Sequence, residues 1–378
     1  MSSAQLSFSP EEIKNAGAGV LIDNKIIIFD SIDFTNTHAF SLDLSKDWTT
    51  TTPEFTIYNL VSAPTFITTA FSAQIKGDHA VIYAFGGNIP KNGNFSDLIY
   101  TNDFYKIDVN TSPFSFLRVD SGDIAPKARA SSVIDEKGKL YIWGGITALD
   151  EYTTVDKYMY IFDTFDSTWR KILPSYVPAQ RSQYTSTLKD GKIYYIGGFY
   201  SDHIDYAKAD IRQILIYDTL NDTSPWSLKT ATNKTNISDR FGHSAVLAPD
   251  NRSIIIFGGL KVFSDTRTGS PDEDIKDYLI TLDLETFELS ELKTQNKLNI
   301  DDIPGGHTGV IYNNFLIVTF GAYPTKSVTR KNQQTAIHNN RLQTQPNTVL
   351  SHNIPTIVIQ HATTQIPFDP NTTLAFKS

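Results

Sequence analysis

Any chemistry this chain performs must come from histidine, tyrosine, carboxylate and cationic side chains, because its 378 residues include no Cys. That absence removes disulfides, thiolate metal sites, iron–sulfur clusters and a thiol nucleophile. His243 and His307 stand at the same place relative to neighbouring apolar runs, with Tyr184 and Ala130 as counterparts. Imidazoles repeated at such an interval could line an axial channel, ligate an ion or titrate near neutral pH. The alternative is that each hydrogen-bonds backbone where a strand begins. Lys127, Arg181 and Arg240 form a parallel set. A ring of cations at a channel mouth would attract a carboxylate or an acidic peptide, or each could bridge to an Asp of the following repeat. Asp202, His203, Asp205 and Tyr206 crowd one segment, yet close spacing on a loop sets no coordination geometry and reads as solvated. The acids Asp272, Glu273, Asp274, Asp301 and Asp302 read the same way. No nucleophile elbow, phosphate-cradling glycine loop or His-Glu zinc motif is present. The expectation is no catalytic residue, no metal and no other cofactor.

The elements that would position these groups come from a repeat. An apolar run ending in paired glycines recurs as Tyr83 to Gly87, Tyr141 to Gly145, Tyr194 to Gly198 and Ile255 to Gly259, with a degenerate copy, Val318 to Ala322. The first glycines are 58, 53, 61 and 63 residues apart. One period upstream, Ile26 to Asp30 keeps the strand and loses the glycines, which makes six copies. Each run is followed by an apolar strand ending in Asp, at Asp43, Asp108, Asp163, Asp218 and Asp283, with Gln360 in the sixth. A third marker is an aromatic at Trp48, Trp169, Trp226 and Phe287, and at Phe114 or Phe116. A short strand precedes each glycine run, as in Ser131 to Ile134 and Ser244 to Leu247. Runs rich in β-branched and aromatic residues, bounded by Gly, Asn, Asp and Pro, predict four short strands per unit and no helix.

Each marker has a physical role. Paired glycines permit positive φ and close backbone approach at a strand end. The Asp can accept from turn amides, and the aromatic can cover the seam between units. A lone four-stranded sheet buries too little, and radial repetition solves this. The pattern of apolar run, Gly-Gly, Tyr/Phe-Asp and Trp resembles kelch repeats over about residues 15 to 322. The resemblance implies an all-β, six-bladed kelch-type β-propeller of four-stranded antiparallel blades, closed by strands from the chain termini. The blades are expected at 15–60, 69–120, 128–173, 180–230, 239–292 and 305–378, in a single domain over 1–378. Either Gln5 to Ser9 or Thr373 to Lys377 is expected to supply the closing strand.

Residues 323–353 form a predicted flexible insertion. Ile303 to Pro367 holds no Asp or Glu and four cations, Lys326, Arg330, Lys331 and Arg341, so this stretch is +4 in a chain of net charge -8. Four charges with one aromatic neighbour, Tyr323, make too thin a footprint for nucleic acid. No apolar stretch reaches the ~18 residues a membrane span needs. The N-terminus lacks a signal-peptide pattern, so a cytoplasmic monomer is expected. Seven Asn-X-Ser/Thr sequons would instead suit an extracellular fragment of a longer protein.

Galactose oxidases share a kelch-type propeller and use copper with a Tyr crosslinked to Cys, a cofactor this chain cannot form. The resemblance therefore implies a non-catalytic scaffold that binds a protein or peptide. The long connections after the glycine pairs should gather on one face. There Phe199, Tyr200, His203, Tyr206, Phe263 and Arg267 are the expected contact residues. An axial-pocket enzyme or a carbohydrate-binding domain is the alternative.

Overall fold

The structure is a computed structural model that describes residues 19–30, 38–46, 55–60, 63–64, 69–76, 79–91, 94–147, 158–173, 178–200, 208–233, 235–261, 275–292, 305–313, 315–319, 356–360 and 375–376. Within these the chain is all β. Five sheets have four strands, and a further sheet adds a short parallel strand, Thr232–Asn233, to the edge of a four-stranded antiparallel unit. Two-stranded ribbons complete the set.

Each large sheet is built from consecutive antiparallel strands. The third, for example, runs Ser131–Ile134, Lys139–Trp143, Met159–Asp163 and Thr168–Ile172. The second strand of each is a nearly continuous apolar run because both of its faces are packed. Leu140, Tyr141, Ile142 and Trp143 are all buried. First strands of successive sheets lie side by side, and that of the last meets that of the first. This arrangement is a β-propeller.

Side-chain hydroxyls stitch the first strands together. Ser72 meets Ser132 at 2.8 Å and Ser131 meets Ser186 at 2.6 Å. Thr308 Oγ1 accepts the Gly19 N–H at 2.8 Å where the last sheet meets the first. The aromatic markers cover the outer seams. Trp169 lies 5.0 Å from Phe104 of the preceding sheet and donates its indole N–H to Asp120 O at 2.9 Å. Trp226 lies 4.8 Å from Trp143, and Phe114 packs on Tyr58 at 4.6 Å. Every Asp marker accepts the N–H two residues on, in turns beginning at Asp43, Asp108, Asp163, Asp218 and Asp283.

One feature departs from expectation, and a second falls on one of the two expected alternatives. Residues after Gly87, read as an open loop, form a hairpin of Asn88–Lys91 and Asn94–Tyr100. The closing strand comes from the C-terminal side, Ala375–Phe376, which pairs with Thr356–Gln360 as the outer strand of the last sheet. Gln5 to Ser9 and the insertion 323–353 lie outside the described residues.

Both glycines of all four pairs have positive φ. At Gly144 (φ 71°) a Cβ would stand 2.5 Å from Arg181 O and 3.1 Å from Tyr184 Cε1. Gly144→Ala is therefore expected to cost at least about 3 kcal/mol in urea unfolding, backbone strain and overpacking combined. The control Gly122→Ala has a similar φ and nothing within 4 Å; it should cost only the left-handed backbone penalty, about 1–2 kcal/mol.

Candidate functional site

The turns joining second to third strands and fourth to first strands share one end of the sheets, and the candidate cations and imidazoles sit there. Lys127, Arg181 and Arg240 each lie four residues before a first strand. Their carbonyls accept the N–H of the second glycine of the preceding sheet: Gly87 to Lys127 at 2.7 Å, Gly145 to Arg181 at 2.9 Å and Gly198 to Arg240 at 2.9 Å. The anchored backbone directs the side chains into the sheet interior rather than toward the axis, and all three are buried.

Arg181 donates to Gly197 O at 3.4 Å and to Gln213 O at 3.0 Å, with its guanidinium 5.8 Å from the Tyr200 ring. Arg240 donates to Gly258 O at 3.3 Å and Ser238 O at 3.2 Å, and it pairs with Asp277 Oδ2. Lys127 Nζ lies 4.6 Å from the Tyr160 ring centroid. Burial lowers the pKa of both arginines, opposed at Arg240 by Asp277. The expected ring of cations at a channel mouth is thus corrected. For the two arginines the expected bridge to an Asp of the following repeat is corrected as well, because Asp277 belongs to the sheet of Arg240 itself and Arg181 donates to carbonyls of its own sheet.

Tyr184, His243 and His307 reach the other way, onto the first strand of the preceding sheet. Tyr184 donates to Trp143 O and accepts the Ser131 N–H at 3.2 Å. His243 Nε2 meets Thr185 Oγ1 at 3.1 Å, and His307 Nε2 meets Ser244 Oγ at 2.8 Å. The histidines are expected to bond backbone; the contacts they make are to hydroxyls, which can match either tautomer. Burial pushes the Tyr184 phenol up. Burial, then Arg240 and His307, holds His243 well below the ordinary imidazole range.

Immediately before Ala130, Tyr184, His243 and His307 sits a residue with positive φ: Arg129, Gln183, Gly242 and Gly306. Gln183 N–H donates to Arg129 O at 3.0 Å, Gly242 to Gln183 at 3.0 Å and Gly306 to Gly242 at 2.7 Å. This arc of main chain links four successive sheets, and no sequence signal marks its non-glycine members.

Of the expected contact residues, Phe199 is a correction. It pairs with Ser182 in a short ribbon and is buried against Ile146 and edge-on to Phe241, at 5.6 Å between centroids. Its place is equivalent to Ile146 and Leu260, which bridge to Ala128 and Phe241. Together these residues make an apolar floor under the connections. Tyr200 is half-buried and donates to Gln213 Oε1 at 3.2 Å. His203, Tyr206, Phe263 and Arg267 lie outside the described residues, as do Asp202 and Asp205. Sequence reading missed the hairpin at this face, although Asn92-Gly93 between its strands is a strong hairpin-turn signal.

With that geometry in view, residues 16–265 match the family model described as Attractin/LZTR1 beta-propeller. The chain belongs to this family. The solved structure of YjhT has a similar fold, with a TM-score of 0.60 at 14% identity over 82% of this chain and 90% of that one.

Two measurements check the structural roles in this propeller. Arg240→Ala leaves Asp277 buried without its partner and should cost about 3–5 kcal/mol by urea unfolding. An imidazole whose pKa falls on folding binds more protons in the unfolded chain, so the stability tied to neutral His243 is complete above pH 6.5 and lost as pH drops below it. Unfolding at pH 7 and pH 5 should show His243→Gln losing less stability than the parent over that interval.

Proposed function

We propose that the chain is a six-bladed propeller in one domain over residues 1–378 that acts as a non-catalytic platform for a protein or peptide partner. The partner binds the face carrying the second-to-third-strand connections. One observation carries this reading. The conspicuous cations of that face are buried and bonded within their own sheets, and the imidazoles are bonded to the sheet before them, so the groups left for recognition are those on the connections above the apolar floor. The Asn88–Tyr100 hairpin rises among them with Ile99 exposed. Family membership supports the reading, because kelch-type propellers are commonly interaction scaffolds.

The test uses a displayed library of natural peptides panned on the whole chain. Selected peptides should lose at least tenfold in affinity when residues 148–157, 201–207 and 262–274 are replaced by Gly-Ser segments of equal length and hairpin residue Ile99 is changed to Ser. Binding that survives all these changes would sink the platform. Selective retention on a glycan array or by a metal ion, lost on changing axial residues, would favour the alternative.

A further inference from the structure

The opposite face of the propeller is formed by the turns between first and second and between third and fourth strands, and in two neighbouring sheets it is built alike. Phe165 and Leu220 stand two residues after the Asp markers of the third and fourth sheets, and each is 68% exposed. The same place holds Ser45, Asn110 and Glu285 in the first, second and fifth sheets. Each apolar tip lies across a glycine of the adjoining turn. A Cβ at Gly138 would come 2.8 Å from Phe165 Cε2, and one at Gly191 would come 3.0 Å from Leu220 Cδ1. Large exposed apolar side chains repeated on adjacent blades are unusual for a surface with no partner.

The tips are also held in place. Phe165 N–H donates to Asp163 Oδ1 at 3.0 Å and Leu220 N–H to Asp218 Oδ1 at 3.0 Å. Little backbone ordering would remain to be lost on binding. The turns that carry them are acidic, although Lys139 stands opposite Asp163 and Lys192 opposite Asp218 in the strand pairing. Asp163 and Asp166 flank Phe165, Asp218 and Asp222 flank Leu220, and neither turn contains Lys or Arg. The adjoining first turns are close to neutral, Lys189 for instance pairing with Asp190.

We propose that the Phe165 and Leu220 turns form a second docking surface, for a protein segment that carries two apolar side chains flanked by Lys or Arg. The apolar residues would cover the two tips while the cations meet the four carboxylates, which makes the contact specific for basic segments. This surface is separate from the loop face and can be occupied together with it.

Three synthetic 12-residue peptides test it by fluorescence anisotropy at physiological salt: one with four Lys and two Leu, one with the Lys changed to Glu, and one with the Leu changed to Ser. The Lys/Leu peptide should bind the whole chain at least tenfold more tightly than either counterpart. Phe165→Ser combined with Leu220→Ser should weaken it at least tenfold, with the thermal midpoint unchanged. Leu117→Ser, at an exposed residue of an outer strand, should leave it unaffected. Equal affinity for the three peptides, no measurable binding, or binding retained by the double variant would overturn the proposal.

Discussion

In the third, fourth and fifth sheets the carbonyl four residues before the first strand is bonded by the blade behind it, and these seams are arranged around that bond. At Arg181 it accepts the Gly145 N–H, and it approaches so closely that a Cβ at Gly144 would stand 2.5 Å from it. Lys127 stands in the same relation to Gly86 and Gly87, and Arg240 to Gly197 and Gly198. Once the carbonyl is tied backward, the side chain of the same residue can only run forward. The arginines then donate to the first glycine carbonyl of their own sheets, Gly197 and Gly258. Arg181 and Arg240 therefore each bond the glycine pair behind them through main chain and the pair ahead of them through side chain. A single hydrogen bond contributes about 1 kcal/mol, but a buried guanidinium stripped of its acceptors costs far more. The linkage is thus enforced mainly by the penalty for breaking it.

This arrangement explains why the residues that most resemble a binding constellation are scaffold. Cations at one-blade intervals satisfy the pattern of a ligand ring, but the same interval is required if each must serve its own seam. Tyr184, His243 and His307 differ in chemistry and agree in action, each crossing to the first strand of the blade before it. A tyrosine and two histidines can substitute for one another because the seam asks only for a flat polar group that fills the gap and reaches one partner. A metal site or a general base would not tolerate that exchange.

How legible each part was depended on how local its physics is. The Asp markers cap turns within two residues, and their role could be read from Asp163 and Phe165 alone. The strands were legible because a blade buried on both faces demands an uninterrupted apolar run. Phe199 was misread because an aromatic following a glycine pair looks like the start of a loop, whereas the chain there is still paired to Ser182. The destination of the Arg181 side chain was not readable, since Gln213 is 32 residues away and becomes its partner only through strand order. Arg129 and Gln183 carry positive φ with nothing in their type to announce it.

The degenerate first and last repeats raise the question of how a seam closes without a glycine pair. The first repeat ends in Phe29-Asp30, where Phe29 holds the place of Phe85 and Trp143 and stacks on Phe71 of the second sheet at 5.3 Å. Where the last sheet meets the first, the glycine has moved into the inner strand. A Cβ at Gly19 would stand 2.6 Å from Thr308 Cγ2, and the Gly19 N–H donates to Thr308 Oγ1. Gly309, beside it, would clash in the same way with Ser244 of the fifth sheet, at 2.4 Å. Close approach and a donated N–H are therefore kept while their position along the strand is not. What the ring requires at each seam is a place where two backbones can come within hydrogen-bonding distance, and the Gly-Gly pair is one of several ways to provide it.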